Sequence, residues 1–158
     1  MKRRLMTGAF VLATVFAVGT VTMAADSNVG AWKLNLAKSQ YNPGPAPTSQ
    51  TLKIEAWGTD GVNYSSDGMD AAGKPTHWEF QARYDEKLVA FKGNPDADMI
   101  SYKRIDANTI DSTTQLNGTV TGHTRAVVSA DGKTRTLTQT GKNAKGQDIH
   151  NVLVFEKQ

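Results

Sequence analysis

From residue 49 onward, turn signals recur too often for any long helix to grow: GTDG at 58–61, AAGKP at 71–75, DEK at 85–87, GNPDAD at 93–98, DAN at 106–108, NG at 117–118, ADGK at 130–133 and NAKGQ at 143–147. Asp-Gly and Asn-Gly favour tight hairpins, because glycine and, less readily, Asn or Asp accept the positive φ such turns require. The intervening runs, roughly 6 to 11 residues long, are rich in Thr, Val, Ile, Tyr and Trp, the lengths and side chains of strands. Successive hairpins of this kind make a meander.

The side-chain period agrees. Over residues 77–84, His77, Glu79, Gln81 and Arg83 alternate with Trp78, Phe80, Ala82 and Tyr84, one face polar and the other mostly aromatic. Leu52, Ile54 and Ala56 alternate in the same way with Thr51, Lys53 and Glu55. Ile149 and the run Val152, Leu153, Val154, Phe155 predict a strand covered on both faces or one that closes a sheet. The best short helix, at 36–41, is a turn or so. A meander of about 8–10 antiparallel strands leaves two exposed edges unless it closes, so an all-β, up-and-down barrel is expected, with a two-sheet sandwich as the alternative. Three prolines in QYNPGPAPTSQ, residues 40–50, predict a stiff connector lying across one end; a proline-rich motif for a partner is the alternative.

Ahead of this domain the chain opens with Lys2, Arg3 and Arg4, then an uncharged run over residues 5–21 rich in Val, Ala, Leu and Phe, then small residues up to Ala24 and Ala25. That order is the pattern of a secretory signal peptide, with cleavage expected after Ala24 by the Sec route. The run is diluted by Thr and Gly and falls short of the roughly 20 apolar residues of a membrane anchor. The expected organisation is a signal peptide at 1–24 and one barrel domain at 25–158, periplasmic or secreted, with no integral span after cleavage. The chain has no cysteine, hence neither a disulfide scaffold nor the lipidated Cys of a bacterial lipoprotein.

Three of the eighteen basic residues leave with the signal peptide, so fifteen face fifteen acidic ones and the mature net charge is near zero. No block of like charge forms a footprint for nucleic acid.

The mature opening GAWKLNLAKSQY places Gly30-x-Trp32 on the first strand, and the chain ends in VLVFEKQ with Phe155-Glu156-Lys157. This layout resembles the calycin plan of lipocalins and cytosolic fatty-acid-binding proteins, and the WKLNLAKS opening is similar to that of small exported bacterial proteins of uncharacterised function. The resemblance implies that Trp32 plugs the closed end of the barrel and that Gly30 allows close backbone approach. A lipocalin Arg would cover the Trp; here the last strand offers Lys157, and Arg104 or Arg125 would have to substitute. The Arg-x-Tyr carboxylate clamp of the fatty-acid-binding proteins has no counterpart at Asn151-Val152-Leu153, and their two-helix lid is replaced by the proline segment.

Catalytic patterns are thin. His77, His123 and His150 fall on three different strands, which is the spacing of partly exposed strand residues, with a three-His site left as the alternative. His77-Trp78-Glu79 lacks the downstream cysteines of a zinc deaminase, and no G-x-S-x-G elbow occurs. Glu79 and Asp111 lie on strands as candidate paired carboxylates for a glycan, but polar positions of alternating strands usually face water. Asp96 and Asp98 beside Pro95 read as a turn rather than a Ca²⁺ loop. No catalytic residue, metal or cofactor is expected. Trp78, Phe80, Tyr84, Tyr102, Leu137, Leu153 and Phe155 are the candidate lining of a barrel interior that holds one small apolar or weakly polar ligand. The alternative is a filled barrel that acts through its surface as a binding, inhibitory or scaffolding module.

Overall fold

Each turn signal beyond residue 49 joins two antiparallel strands or strand segments. The computed structural model describes residues 26–158, so the expected signal peptide lies outside the described residues. Its strands are β1 (Gly30–Leu34), β2 (Ser49–Trp57), β3 (Gly61–Met69), β4 (Pro75–Arg83), β5 (Val89–Ala90), β6 (Met99–Arg104), β7 (Thr109–Leu116), β8 (Thr119–Val128), β9 (Thr134–Lys142) and β10 (Asp148–Lys157). They form one sheet in the order β4-β3-β2-β1-β10-β9-β8-β7-β6-β5, so chain neighbours pair and β10 returns to β1, with Trp32 opposite Lys157 and Leu34 opposite Phe155. The outer strands of that order meet where Glu79 and Lys92 exchange both backbone hydrogen bonds at 3.0 Å. The sheet is therefore a nearly closed up-and-down barrel, and the sandwich is set aside.

Strand β10 closes the meander by pairing with both β1 and β9. Leu153 and Phe155 point inward and are buried, whereas Val152 and Val154 are half-buried on the outer side. The short helix at 36–41 is a 3₁₀ turn, Leu36–Lys38, whose Asn35 Oδ1 accepts the Lys38 N–H at 3.1 Å. Beyond it the chain continues beside β10: Gln40 exchanges backbone hydrogen bonds with Val152, and the Asn42 N–H donates to Asn151 Oδ1 at 2.9 Å. The prolines lie in the connection from there to β2. We call this the strap end of the barrel and the opposite end, where β1 begins and β10 finishes, the base.

Trp32 fills the base. It is fully buried, its Nε1–H donates to the Asn28 carbonyl at 3.0 Å, and Lys157 Nζ lies 5.0 Å from its ring centroid. Lys157, not Arg104 or Arg125, thus covers the ring. Arg104 pairs with Asp26 and lies 4.0 Å over the Tyr84 ring, and Arg125 is outside, bidentate to Asp111. Gly30 also plays a different part from the one expected: at φ 144°, a Cβ there would sit 2.7 Å from Lys157 Cε, so it makes room for the lysine side chain rather than for backbone. Among the described residues no helix is long and apolar enough to cross a membrane.

Candidate functional site

Alternation carries one side chain in two to the inside of each strand, and every apolar residue expected in the interior is found on that side. Phe80, Tyr102, Leu137, Leu153 and Phe155 are buried, and Trp78 and Tyr84 pack partly buried against them. The aromatic members form one wall on the β3–β6 side. Phe80 stacks on Tyr64 at 4.6 Å between centroids, meets Phe91 edge-on at 5.3 Å and lies 5.0 Å from Tyr102. Trp78 extends this wall through Phe91 at 6.4 Å. Tyr84 belongs to the base, because its hydroxyl donates to Asp26 at 2.7 Å. Tyr64 and Phe91 join the wall without a clear signal in the sequence: Tyr64 sits in a strand rich in Asn, Ser and Asp, and Phe91 follows a strand too short to show a period.

The interior also holds a charge. Arg135 on β9 shares parity with Leu137, and it is only 1 % exposed. Its Nε and Nη1 have no hydrogen-bond partner. The guanidinium acts on two interior tyrosines: burial raises the hydroxyl pKa of Tyr64 and of Tyr102, and Arg135 works against that rise in both. The family pattern directs the search for a basic clamp to the region of Asn151, away from this residue, although alternation with Thr134 and Thr136 places Arg135 inside.

Further toward the strap end the inner wall changes character. Ile110, Ala126, Leu137 and Leu153 form a buried apolar set on β7–β10. Two residues along each strand stand Ser112, Thr124, Gln139 and Asn151, which lie opposite one another across the sheet in one register row and are partly exposed. Tyr102 lies opposite Ser112 and joins this row. Gln50 Nε2 donates to the buried Ser66 Oγ at 2.9 Å on the other side. Tyr41, next to the strap, has a buried hydroxyl without a partner and a pKa pushed up to about 12 by burial.

The remaining candidates separate. His77 Nδ1 lies 2.7 Å from Asp67 and its Nε2 3.6 Å from Glu79, His123 Nδ1 is 3.2 Å from Thr113 Oγ1, and His150 stands on β10. Glu79 pairs with Lys92 and Asp111 with Arg125, so the two carboxylates serve different partners. Asp96 accepts the Ala144 N–H and Asp98 the Asn117 N–H, which ties the strap-end loops together. Among the described residues no group of three or more His, Asp or Glu side chains is arranged to hold a metal ion. Two depressions of about 540 and 560 Å³ open on the outer wall, one over β2–β5 and one over β6–β9.

No protein-family model and no curated protein matches this chain. Among solved structures, a redesigned β-barrel superposes with a TM-score of 0.50 at 10% identity, over 89% of this chain and 99% of that one. A zebrafish ileal bile acid-binding protein in complex with cholic acid aligns with a TM-score of 0.49 at 10% identity, over 84% of this chain and 99% of its own. The likeness is one of fold alone.

Proposed function

We propose that the protein is an exported carrier of a small amphipathic molecule, held inside the barrel with an accepting, anionic group at Arg135 and an apolar body against the aromatic wall. The observation that carries this reading is the buried guanidinium with Nε and Nη1 unpartnered. A buried charge left without acceptors costs several kcal/mol, and a carboxylate placed against Arg135 and the Tyr102 hydroxyl would relieve that cost through charge-assisted hydrogen bonds. The ligand expected from the sequence, apolar or weakly polar, is narrowed to one with an apolar body and one strong acceptor. Export rests on the pattern of residues 1–24.

Decanoate titrated against wild type and Arg135→Met, read by tryptophan fluorescence and thermal unfolding, tests the reading. Wild type is expected to bind and to gain stability with ligand. Arg135→Met should fold, gain stability without ligand through loss of the unpaired charge, and no longer respond to decanoate. Equal binding by both proteins, or none by wild type, would overturn it. The second reading, a filled barrel that works through its outer wall, is favoured by the close aromatic packing around Phe80. It predicts the same gain in stability in Arg135→Met with no response to decanoate in either protein.

A further inference from the structure

We propose that the row Ser112, Thr124, Gln139 and Asn151 is a second subsite, which takes a hydroxylated end of the ligand while Arg135 takes its anionic end. This rests on the interior-binding reading above and adds to it the chemistry of the ligand's far end.

The four residues occupy inward positions of four successive strands, Ser112 opposite Thr124, Thr124 opposite Gln139 and Gln139 opposite Asn151. The inward positions two residues away toward the base are all apolar and buried. Four neutral polar side chains in one register row are therefore a change of lining at this level of the barrel. Inward polar groups are costly unless hydrogen-bonded; Asn151 Oδ1 accepts the Asn42 N–H at 2.9 Å, but the bonds between members of the row are weak. Asn151 Nδ2 reaches Gln139 Oε1 at 3.4 Å and Ser112 Oγ reaches the Thr124 carbonyl at 3.5 Å, both at the outer limit of a hydrogen bond. Each of the four is partly exposed, Ser112 and Thr124 in part where they line the outer depression over β6–β9.

The row is linked to the charge below it through one side chain. Tyr102, whose hydroxyl feels Arg135, pairs with Ser112 at its end. An apolar level of Ile110, Ala126, Leu137 and Leu153 thus lies between the polar row and the guanidinium, and Tyr102 joins the two from β6, where it also adjoins the aromatic wall through Phe80. About 13 Å of strand separates Arg135 from Gln139, since strands rise about 3.3 Å per residue. With hydroxyls and amides but no charge, the row selects hydroxyl groups over ions. The structure thus fits a medium-length amphiphile with an acidic group at one end and a hydroxyl at the other.

The experiment compares decanoate with 10-hydroxydecanoate by calorimetric titration of the mature chain. An added hydroxyl weakens burial in a purely apolar site, so tighter binding of the hydroxy acid reads the subsite directly. Wild type is expected to favour it by roughly three- to tenfold, the worth of one or two net hydrogen bonds. Gln139→Leu and Thr124→Val should lose or reverse that preference while still binding decanoate, and the outward-facing Thr138→Val should keep it. No preference in wild type, or a preference that survives both inward variants, would overturn the subsite. If decanoate binding depends on Arg135 and the hydroxyl adds nothing, carriage in the interior stands and this inference falls. If neither acid binds, both fall.

Discussion

Lys157 Nζ lies 5.0 Å from the centroid of the Trp32 ring, so the penultimate residue of the chain covers the aromatic plug of its first strand. The contact depends on the pairing of β1 with β10 and on Gly30, whose missing Cβ leaves space for the lysine stem. Trp32→Ala removes a fully buried indole and is expected to cost about 3 to 5 kcal/mol. Lys157→Met, which keeps the stem and loses the cation, should cost about 0.5 to 1 kcal/mol. Urea unfolding of both variants checks the ranking; an unchanged midpoint for Trp32→Ala would remove the plug from the account.

Asp26 makes the base sensitive to acid. Burial pushes its carboxyl pKa up, but hydrogen bonds from Arg104, Tyr84 and the Asn28 N–H outweigh burial and hold it below the usual value. A carboxyl with a depressed folded pKa contributes stability that is fully present above its unfolded value, near 3.9, and is lost as pH falls through the folded one. Thermal unfolding between about pH 2 and 6 should show this acid limb in wild type and a flatter one in Asp26→Asn. Parallel curves for the two proteins would contradict it.

His77 works in the opposite direction. The hydrogen bond to Asp67, helped by Glu79, raises its pKa above 6.5, so its contribution is present below that value and disappears as pH rises through the folded one. The site is exposed, and the readout is therefore the titration itself. In an NMR titration the His77 ring should titrate above the ordinary histidine range in wild type and fall back toward it in Asp67→Asn.

Gly93 governs the seam between β4 and β5. Its φ is 79°, and a Cβ there would run into the carbonyl oxygen of His77, two residues from the Glu79–Lys92 bridge. Gly118 has the same φ with open space around it. Gly93→Ala should therefore destabilise the protein more than Gly118→Ala and speed hydrogen exchange at the Glu79 and Lys92 amides. Equal effects of the two substitutions would show that only the backbone angle matters.

Export predicts a mature N-terminus between about residues 22 and 26, in a protein recovered from the periplasm or medium. A cut after Ala24 keeps Asp26, whose carboxylate bonds Arg104 and Tyr84 at the base. Mass spectrometry of the mature protein checks this, and a membrane-bound chain that retains Met1 would contradict it.

Much of the interior is legible in the amino-acid sequence, because strand parity is a local property. Trp78, Phe80, Tyr102 and Leu137 alternate with polar neighbours, Leu153 and Phe155 share one parity within an apolar run, and turn residues with positive φ mark where most strands stop. The same parity places Arg135, Gln139 and Asn151 inside. Residue type argues the other way, since polar side chains on a half-buried strand usually meet water, and in these three it conceals what position alone implies.

The sequence by itself determined the meander, the inner and outer face of most strands and the aromatic character of one wall, all set by interactions within a strand or across one hairpin. The tertiary structure decided which distant strands pair and what the interior contains. Pairing β1 with β10 brings Lys157 over Trp32, and the curl of the sheet brings Phe91 against Phe80 and Arg135 near Tyr64 and Tyr102. These contacts join segments far apart in the chain. They follow from closure of the barrel and the packing of side chains inside it, which no local period encodes.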